Sequence, residues 1–435
     1  MRVLVLAALC SFALLACRKS TDEAPSQAPA ASPADEGERA AQPAAGAAAG
    51  GSEAVLLALA QFVEDPAGGR PKPGPAKAML IEAGAGGWGV ETLEDPDSIV
   101  FHKAMCWPGK DLSGGVLTIG AEGARLLEWR RGPEGWKSTL LYEGTFGGKW
   151  DRLRDLEVGN VDADPEPELV IATHDQGVVL VLNRSAEGWE AQEIFRKADT
   201  FVHEVELGDV DGDGALEIYV TPSEPNRAGV SQPGGVLGFR FDKVAASYQP
   251  FWVVQLENSH AKEILTADLN GDGSAELYAA VEAKLTVEGG QLKAAQPVSI
   301  QRFHPGAAGA PWRPEVVATL EGGLQSRVLL AADLRGLGPE LVVTTMRDGV
   351  WRLQMPEAPG APWPKAPIDR SLRGFENAAG IADTDGDGRA ELFVTPDDLD
   401  QVLRYVWDGE DFQRSEVVGL AARDITWNVV ACRRP

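Results

Sequence analysis

The sequence predicts an all-β chain whose repeats close into a seven-bladed propeller, and three observations predict it. Short apolar runs such as Ala54–Leu59 and Leu169–Ala172 recur between Gly, Pro, Asp and Asn, the texture of many short strands. An acidic loop beginning at Asn160, Asp209, Asp268, Asp333 and Asp383 recurs at steps of 49, 59, 65 and 50 residues. Aromatic residues that follow a turn and open a strand, Trp88, Trp136, Trp189, Tyr248, Trp312, Trp363 and Phe412, recur at similar steps of 48, 53, 59, 64, 51 and 49 residues. Seven aromatics imply seven units, each read as strand, acidic loop, strand, connection, strand, turn, strand. Four antiparallel strands per unit make a blade, and radial closure leaves few exposed edges.

Taken from the beginning, the chain opens with Met1-Arg2 and an apolar run from Val3 to Ala16. That run is too short to span a bilayer as a helix and suits an export signal over 1–16. It ends in Leu14-Leu15-Ala16-Cys17, which resembles the bacterial lipobox. The resemblance implies a lipid on Cys17, hence membrane attachment. With Arg18 next, it further implies an outer-membrane lipoprotein, its periplasmic or surface face left open. Residues 17–53 are rich in Ala, Pro and Gly without apolar periodicity. Such a segment buries too little to offset its chain entropy and is expected to be a disordered tether.

The propeller is expected over 54–435. Ile425–Cys432 reads as the first strand of a repeat after which the chain stops. Ala54–Gln61, Ala78–Ala83 and Trp88–Leu93 read as the second, third and fourth strands of a repeat lacking its first. Together they make one composite blade. Cys432 ends the innermost strand of that blade, and Cys106 ends the strand Ile99–Cys106 of the next. A disulfide between them is expected in an oxidising compartment.

The loops carry chemistry. In Asp-x-Asp/Asn-x-Asp-Gly-x-x-Glu, positions 1, 3 and 5 point inward together, Gly permits the sharp turn, and Glu at position 9 closes an oxygen shell of the kind calcium takes. The expected ligands are Asp209, Asp211, Asp213 and Glu217; Asp268, Asn270, Asp272 and Glu276; and Asp383, Asp385, Asp387 and Glu391. The set Asn160, Asp162, Asp164 and Glu168 keeps the oxygens but has Pro165 in place of Gly. The Asp333 copy carries Arg335 and Leu337 at inward positions and is expected to bind no metal, with Arg335 supplying the positive charge itself.

These repeats resemble the FG-GAP/VCBS-type blade units of integrin α-subunit propellers and of many secreted bacterial proteins. The resemblance implies structural Ca2+ at three to four sites. It leaves function open, because that family spans adhesion, carbohydrate binding and a few enzymes.

Six residues before each loop stand Arg154, His203, Lys262, Arg327 and Asn377, with His102 near the equivalent place in an earlier blade. In radial blades these form a ring at the opposite mouth of the central channel. The ring reads either as a site for an anionic ligand or as a hydrated rim whose side chains pair with neighbours such as Glu204, Glu206 and Glu263. A formal net charge of −25 argues against nucleic acid, whose phosphates need clustered Lys and Arg. The five histidines show no zinc spacing, and there is no Gly-x-Ser-x-Gly elbow or phosphate-cradling Gly loop. The expected function is therefore a lipid-anchored, calcium-binding propeller of the cell envelope that binds or scaffolds a protein or glycan. The alternative is a polysaccharide lyase or hydrolase using the cationic channel mouth.

Overall fold

A computed structural model of the chain describes residues 52–434 apart from 66, 67, 69, 70, 109–111, 149, 150, 163, 226–230, 290, 307–309 and 359. The expected signal, Cys17 and all of the tether but its last two residues lie outside the described residues. Regular structure among the described residues is strand only, and seven four-stranded antiparallel sheets account for most of it.

The innermost strands are Ile425–Arg433 in blade 1, Val100–Cys106 in blade 2, Leu153–Gly159 in blade 3 and Phe201–Gly208 in blade 4. Those of blades 5, 6 and 7 are Ala261–Ala267, Ser326–Ala332 and Asn377–Ala382. Each packs against the innermost strand of the next blade, and that of blade 7 packs against that of blade 1, so the ring is closed. Every sheet is then a simple meander from the channel outward.

The second strands are buried along their whole length, as in Glu168–Thr173 of blade 3 and Glu340–Thr345 of blade 6. Both faces of such a strand are covered by neighbouring blades, so its sequence is a continuous apolar run. Alternation still operates, because Leu169 and Ile171 join the core between blades 2 and 3 while Val170 and Ala172 join that between blades 3 and 4. A hydrophobic core of this kind lies in each of the seven clefts between blades. Each Leu, Val or Ile buried there contributes about 1.5–3 kcal/mol.

The strand-opening aromatics belong to these clefts. Each reaches back to the preceding blade: Trp88 meets Phe393 edge-on at 6.1 Å, Trp312 meets Tyr219 at 6.1 Å and Trp363 meets Tyr278 at 6.0 Å. The aromatic period in the sequence is thus the period of blade-on-blade packing.

Blade 1 is composite. Glu53–Ala60 pairs antiparallel with Ile425–Arg433, bringing Ala54 opposite Cys432, and Ala76–Gly84 and Gly87–Asp95 complete the sheet. Cys432 and Cys106 form a disulfide across the boundary of blades 1 and 2, with Cα atoms 5.8 Å apart. Two short hairpins extend the meander between second and third strands: Phe62–Val63 with Lys72–Pro73 in blade 1, and Lys284–Glu288 with Gln291–Gln296 in blade 5.

Candidate functional site on two opposite faces

Meander topology sorts the connections. Turns from first to second strand all lie on one face of the disc, and connections from second to third strand all lie on the other. The five loops at Asn160, Asp209, Asp268, Asp333 and Asp383 are first-to-second turns and share the first face. Both extra hairpins and the starts of the innermost strands share the second.

On the first face each loop folds its carboxylates onto its own backbone. Asp209 Oδ2 accepts from Gly214 N at 2.9 Å, and Asp213 Oδ1 accepts from Ala215 N at 2.9 Å. Gly212 and Gly214 have φ of 75° and 90°, a left-handed pair that only glycine adopts without strain. The closing glutamate is buried, and its Oε2 accepts from the second loop residue: Val161 N to Glu168 at 2.9 Å, Leu269 N to Glu276 at 2.9 Å and Thr384 N to Glu391 at 2.9 Å. Tyr219 donates its hydroxyl to Glu217 at 3.0 Å.

One carboxylate oxygen from each of Asp162, Asp164 and Glu168 lies within 4.8 Å of the others, and the same holds for Asp209, Asp211 and Glu217 and for Asp383, Asp385 and Glu391. Burial first, and then the Asp211 carboxylate, push Glu217 up to about 7; burial and Asp162 push Glu168 up to about 7. Asp209 Oδ1 is buried without a hydrogen-bond partner. An all-oxygen set of repelling carboxylates with an orphaned buried oxygen fits a hard divalent cation.

Arginine competes for the same carboxylates. In blade 4, Arg240 reaches Glu217 at 3.2 Å and also contacts Asp211; in blade 5, Arg302 reaches Glu276 at 2.8 Å; in blade 7, Arg404 reaches Asp385 at 2.8 Å and Glu391 at 2.5 Å. These arginines stand on the third strand of the same blade, a cross-strand relation that the loop motif does not reveal. In the Asp268 loop, Asn270 Nδ2 donates to Glu276. The Asp333 loop keeps the left-handed glycines, Gly336 and Gly338 at φ 71° and 96°, while Arg335 donates to Glu340 at 3.0 and 3.1 Å and Arg352 adds a contact at 3.3 Å. There the Arg335 guanidinium supplies positive charge beside the closing glutamate, where the loops of blades 3, 4 and 7 converge their acids.

On the second face the polar ring is built on backbone irregularity. In blades 2, 3, 5 and 6 the innermost strand carries one extra residue against its partner, at His102, Arg154, Lys262 and Arg327. In blade 4 the extra residue falls within His203-Glu204, and in blade 1 it is Trp427. A β-bulge re-aims the side chain it carries. Asn377 of blade 7 occupies the same position without a bulge. Sequence reasoning missed Trp427, although its place two residues into a first strand was a signal shared with His203.

The ring residues converge. The Arg154 guanidinium lies over the Trp427 ring at 5.6 Å, and His102 meets Trp427 edge-on at 5.6 Å. His203 is 2% exposed and meets His174 edge-on at 5.0 Å. Burial, followed by the field of Lys262, His174, Arg154 and Arg327, holds His203 well below the usual imidazole range, so it is neutral. Carboxylates stand nearby at more than hydrogen-bond distance: Glu204 is 3.7 Å from Arg154, Glu282 is 3.7 Å from Lys262 and Glu376 is 3.8 Å from Arg327.

Deeper in the channel the sign reverses. Asp155, Glu157, Glu204, Glu206 and Glu263 gather around Lys103, which contacts Asp155 at 2.8 Å. Burial and then Asp155 push Glu204 well above the carboxylate range, and burial and then Glu157 do the same for Glu206.

A family profile described as an FG-GAP-like repeat matches residues 160–220, which span the loops of blades 3 and 4. No curated protein matches the sequence. Among solved structures, a protein from Lactobacillus plantarum is similar at 11% identity and a TM-score of 0.56, covering 87% of this chain and 99% of that one. The periplasmic gluconolactonase of Pseudomonas aeruginosa is similar at 13% identity and a TM-score of 0.53, covering 88% and 99%. A putative 6-phosphogluconolactonase from Bacteroides uniformis is similar at 13% identity and a TM-score of 0.51, covering 88% and 100%. At these identities the likeness is one of fold.

Proposed function

We propose that this seven-bladed propeller with its FG-GAP-like repeat is an exported, lipid-anchored binding module of the cell envelope, stiffened by calcium on one face and recognising an acidic glycan with the other. The observation that carries the reading is the separation of the two faces. The acidic turns gather on the face that needs only rigidity. The bulged cations, Trp427 and both inserted hairpins gather on the other.

Calcium would be held in blade 4 by Asp209, Asp211, Asp213 and Glu217 and in blade 7 by Asp383, Asp385, Asp387 and Glu391. In blade 5 it would be held by Asp268, Asn270, Asp272 and Glu276, and in blade 3 by Asn160, Asp162, Asp164 and Glu168. When bound it neutralises carboxylates that otherwise repel one another and pins the first-to-second turn. Arg240, with its side chain 45% exposed, has solvent into which to withdraw.

The chain also enters the propeller on the metal-loop face. Glu53 N donates to Asp383 O at 2.7 Å, and Asp383 N donates to Glu53 Oε2 at 2.8 Å. A lipid on Cys17 would therefore tether the propeller through a segment that leaves from that face. Replacing Cys17 by Ala should release the protein from the outer-membrane fraction.

The test is binding of the purified chain, with calcium and with chelator, to immobilised uronic-acid polymers and to neutral polymers. Retention on the acidic polymers alone, weakened by chelator, is expected. Equal retention on both, or none, would sink the glycan reading and return the mouth to a protein partner.

A further inference from the structure

The polar mouth contains a feature that a hydrated rim does not require. His203 is 2% exposed, yet neither Nδ1 nor Nε2 has a hydrogen-bond partner. His260 Nε2 is unpartnered as well. Leaving buried polar groups unpaired costs about 1–3 kcal/mol each, so a native protein concentrates them where something else supplies the partner. Here they share one end of the channel with Arg154, Lys262 and Arg327, all three of which act electrostatically on His203.

We propose that this end of the channel, formed by His203, Arg154, Lys262 and Arg327, is a binding site for a single carboxylate group. This deepens the acidic-glycan reading and rests on it for the identity of the ligand.

The chemistry favours a carboxylate. A neutral imidazole has one N–H to give, and the neighbouring cations supply attraction without needing to share a proton. Guanidinium groups recognise planar oxyanions with two parallel hydrogen bonds. Glu204, Glu282 and Glu376 stand 3.7–3.8 Å from Arg154, Lys262 and Arg327. These acids also keep the site from holding a large excess of positive charge, which argues against a multiply charged phosphate. Trp427, beneath the Arg154 guanidinium, offers an apolar plate on which a sugar ring can rest.

The test is calorimetric titration of the full chain in calcium with galacturonate, acetate, galactose and sulfate at constant ionic strength. Imidazole NMR of the same samples follows the His203 ring nitrogens. Galacturonate and acetate should both bind and shift the His203 resonance, while galactose and sulfate should not. His203→Ala should weaken galacturonate by about tenfold or more, the loss of one hydrogen bond to a charged group. His203→Gln, which keeps a donor and is gentler on the fold, should retain most of the affinity.

Absence of galacturonate and acetate binding to the wild-type chain overturns the site. Sulfate binding as well as acetate overturns its carboxylate character. If polymer is retained but neither monocarboxylate binds, the glycan reading stands and this site falls. If the monocarboxylates bind and the polymer is not retained, the reverse holds.

Discussion

Cys106 and Cys432 are 326 residues apart in sequence, yet their Cα atoms stand 5.8 Å apart and a disulfide joins them. The bond ties the ends of the innermost strands of blades 1 and 2 on the face that carries the acidic loops. Neither blade carries the repeated acidic motif in its sequence, so five blades have that motif on this face and the remaining two share a covalent staple. Closing so long a loop restricts the unfolded chain, an effect typically worth about 2–4 kcal/mol. Cys432→Ala should melt earlier than the wild type under oxidising conditions. A reductant should lower the wild-type melt to the same point and leave the variant unmoved; a variant that melts like oxidised wild type would contradict this account.

The Asp333 loop provides a contrast that separates guanidinium from calcium. Glu340 is 1% exposed and held by Arg335 and Arg352. Removing one partner of a buried pair costs about 3–5 kcal/mol, less here because Arg352 remains. Arg335→Ala should therefore lower the melting temperature equally in calcium and in chelator. Asp211→Ala should leave the chelated melt nearly unchanged and remove part of the rise that calcium gives. Thermal melts of the two variants in both buffers check this, and a calcium-dependent loss in Arg335→Ala would place metal in the wrong loop.

The inter-blade aromatics offer a test of the packing. Trp363 is 8% exposed and meets the edge of Tyr278 in the cleft between blades 5 and 6. Truncation to Ala should cost about 3–5 kcal/mol, the range for large aromatic deletions in cores. Phe at the same position should recover most of it. Denaturant unfolding of the two variants measures the difference, and a Trp363→Ala loss below about 1 kcal/mol would show that the aromatic period marks turns rather than packing.

Much of this was legible because propeller blades repeat. The loop carboxylates are local in sequence, the aromatics mark each cleft, and the half-repeats at the two ends announced the composite blade. What stayed hidden depends on pairing between strands. Arg240, Arg302 and Arg404 meet the closing glutamates only because a third strand lies beside the second. The bulges that aim Arg154, Lys262 and Arg327 are register slips, invisible until the partner strand is known. The hairpin Lys284–Gln296 left one trace, the 65-residue step between Asp268 and Asp333, the longest of the series.

The acidic layer of the channel makes stability depend on pH. Glu263 of blade 5 accepts a hydrogen bond from Leu329 N of blade 6 at 3.0 Å. Burial first, and then the Asp155 carboxylate, nevertheless push it up to about 8. A carboxyl whose folded value lies above its unfolded value binds its proton more tightly in the native state. Its stabilising contribution is full below the unfolded value near 4.5 and is lost as pH rises through about 8. Glu204 and Glu206 are shifted in the same direction and add to the slope. The melting temperature in chelator should fall between about pH 5 and about pH 9. Glu263→Gln keeps the acceptor for Leu329 but cannot ionise, so it should melt several degrees above the wild type at the alkaline end and close to it at the acid end. A parallel fall in both proteins would mean that Glu263 ionises without cost, as it does where water reaches it.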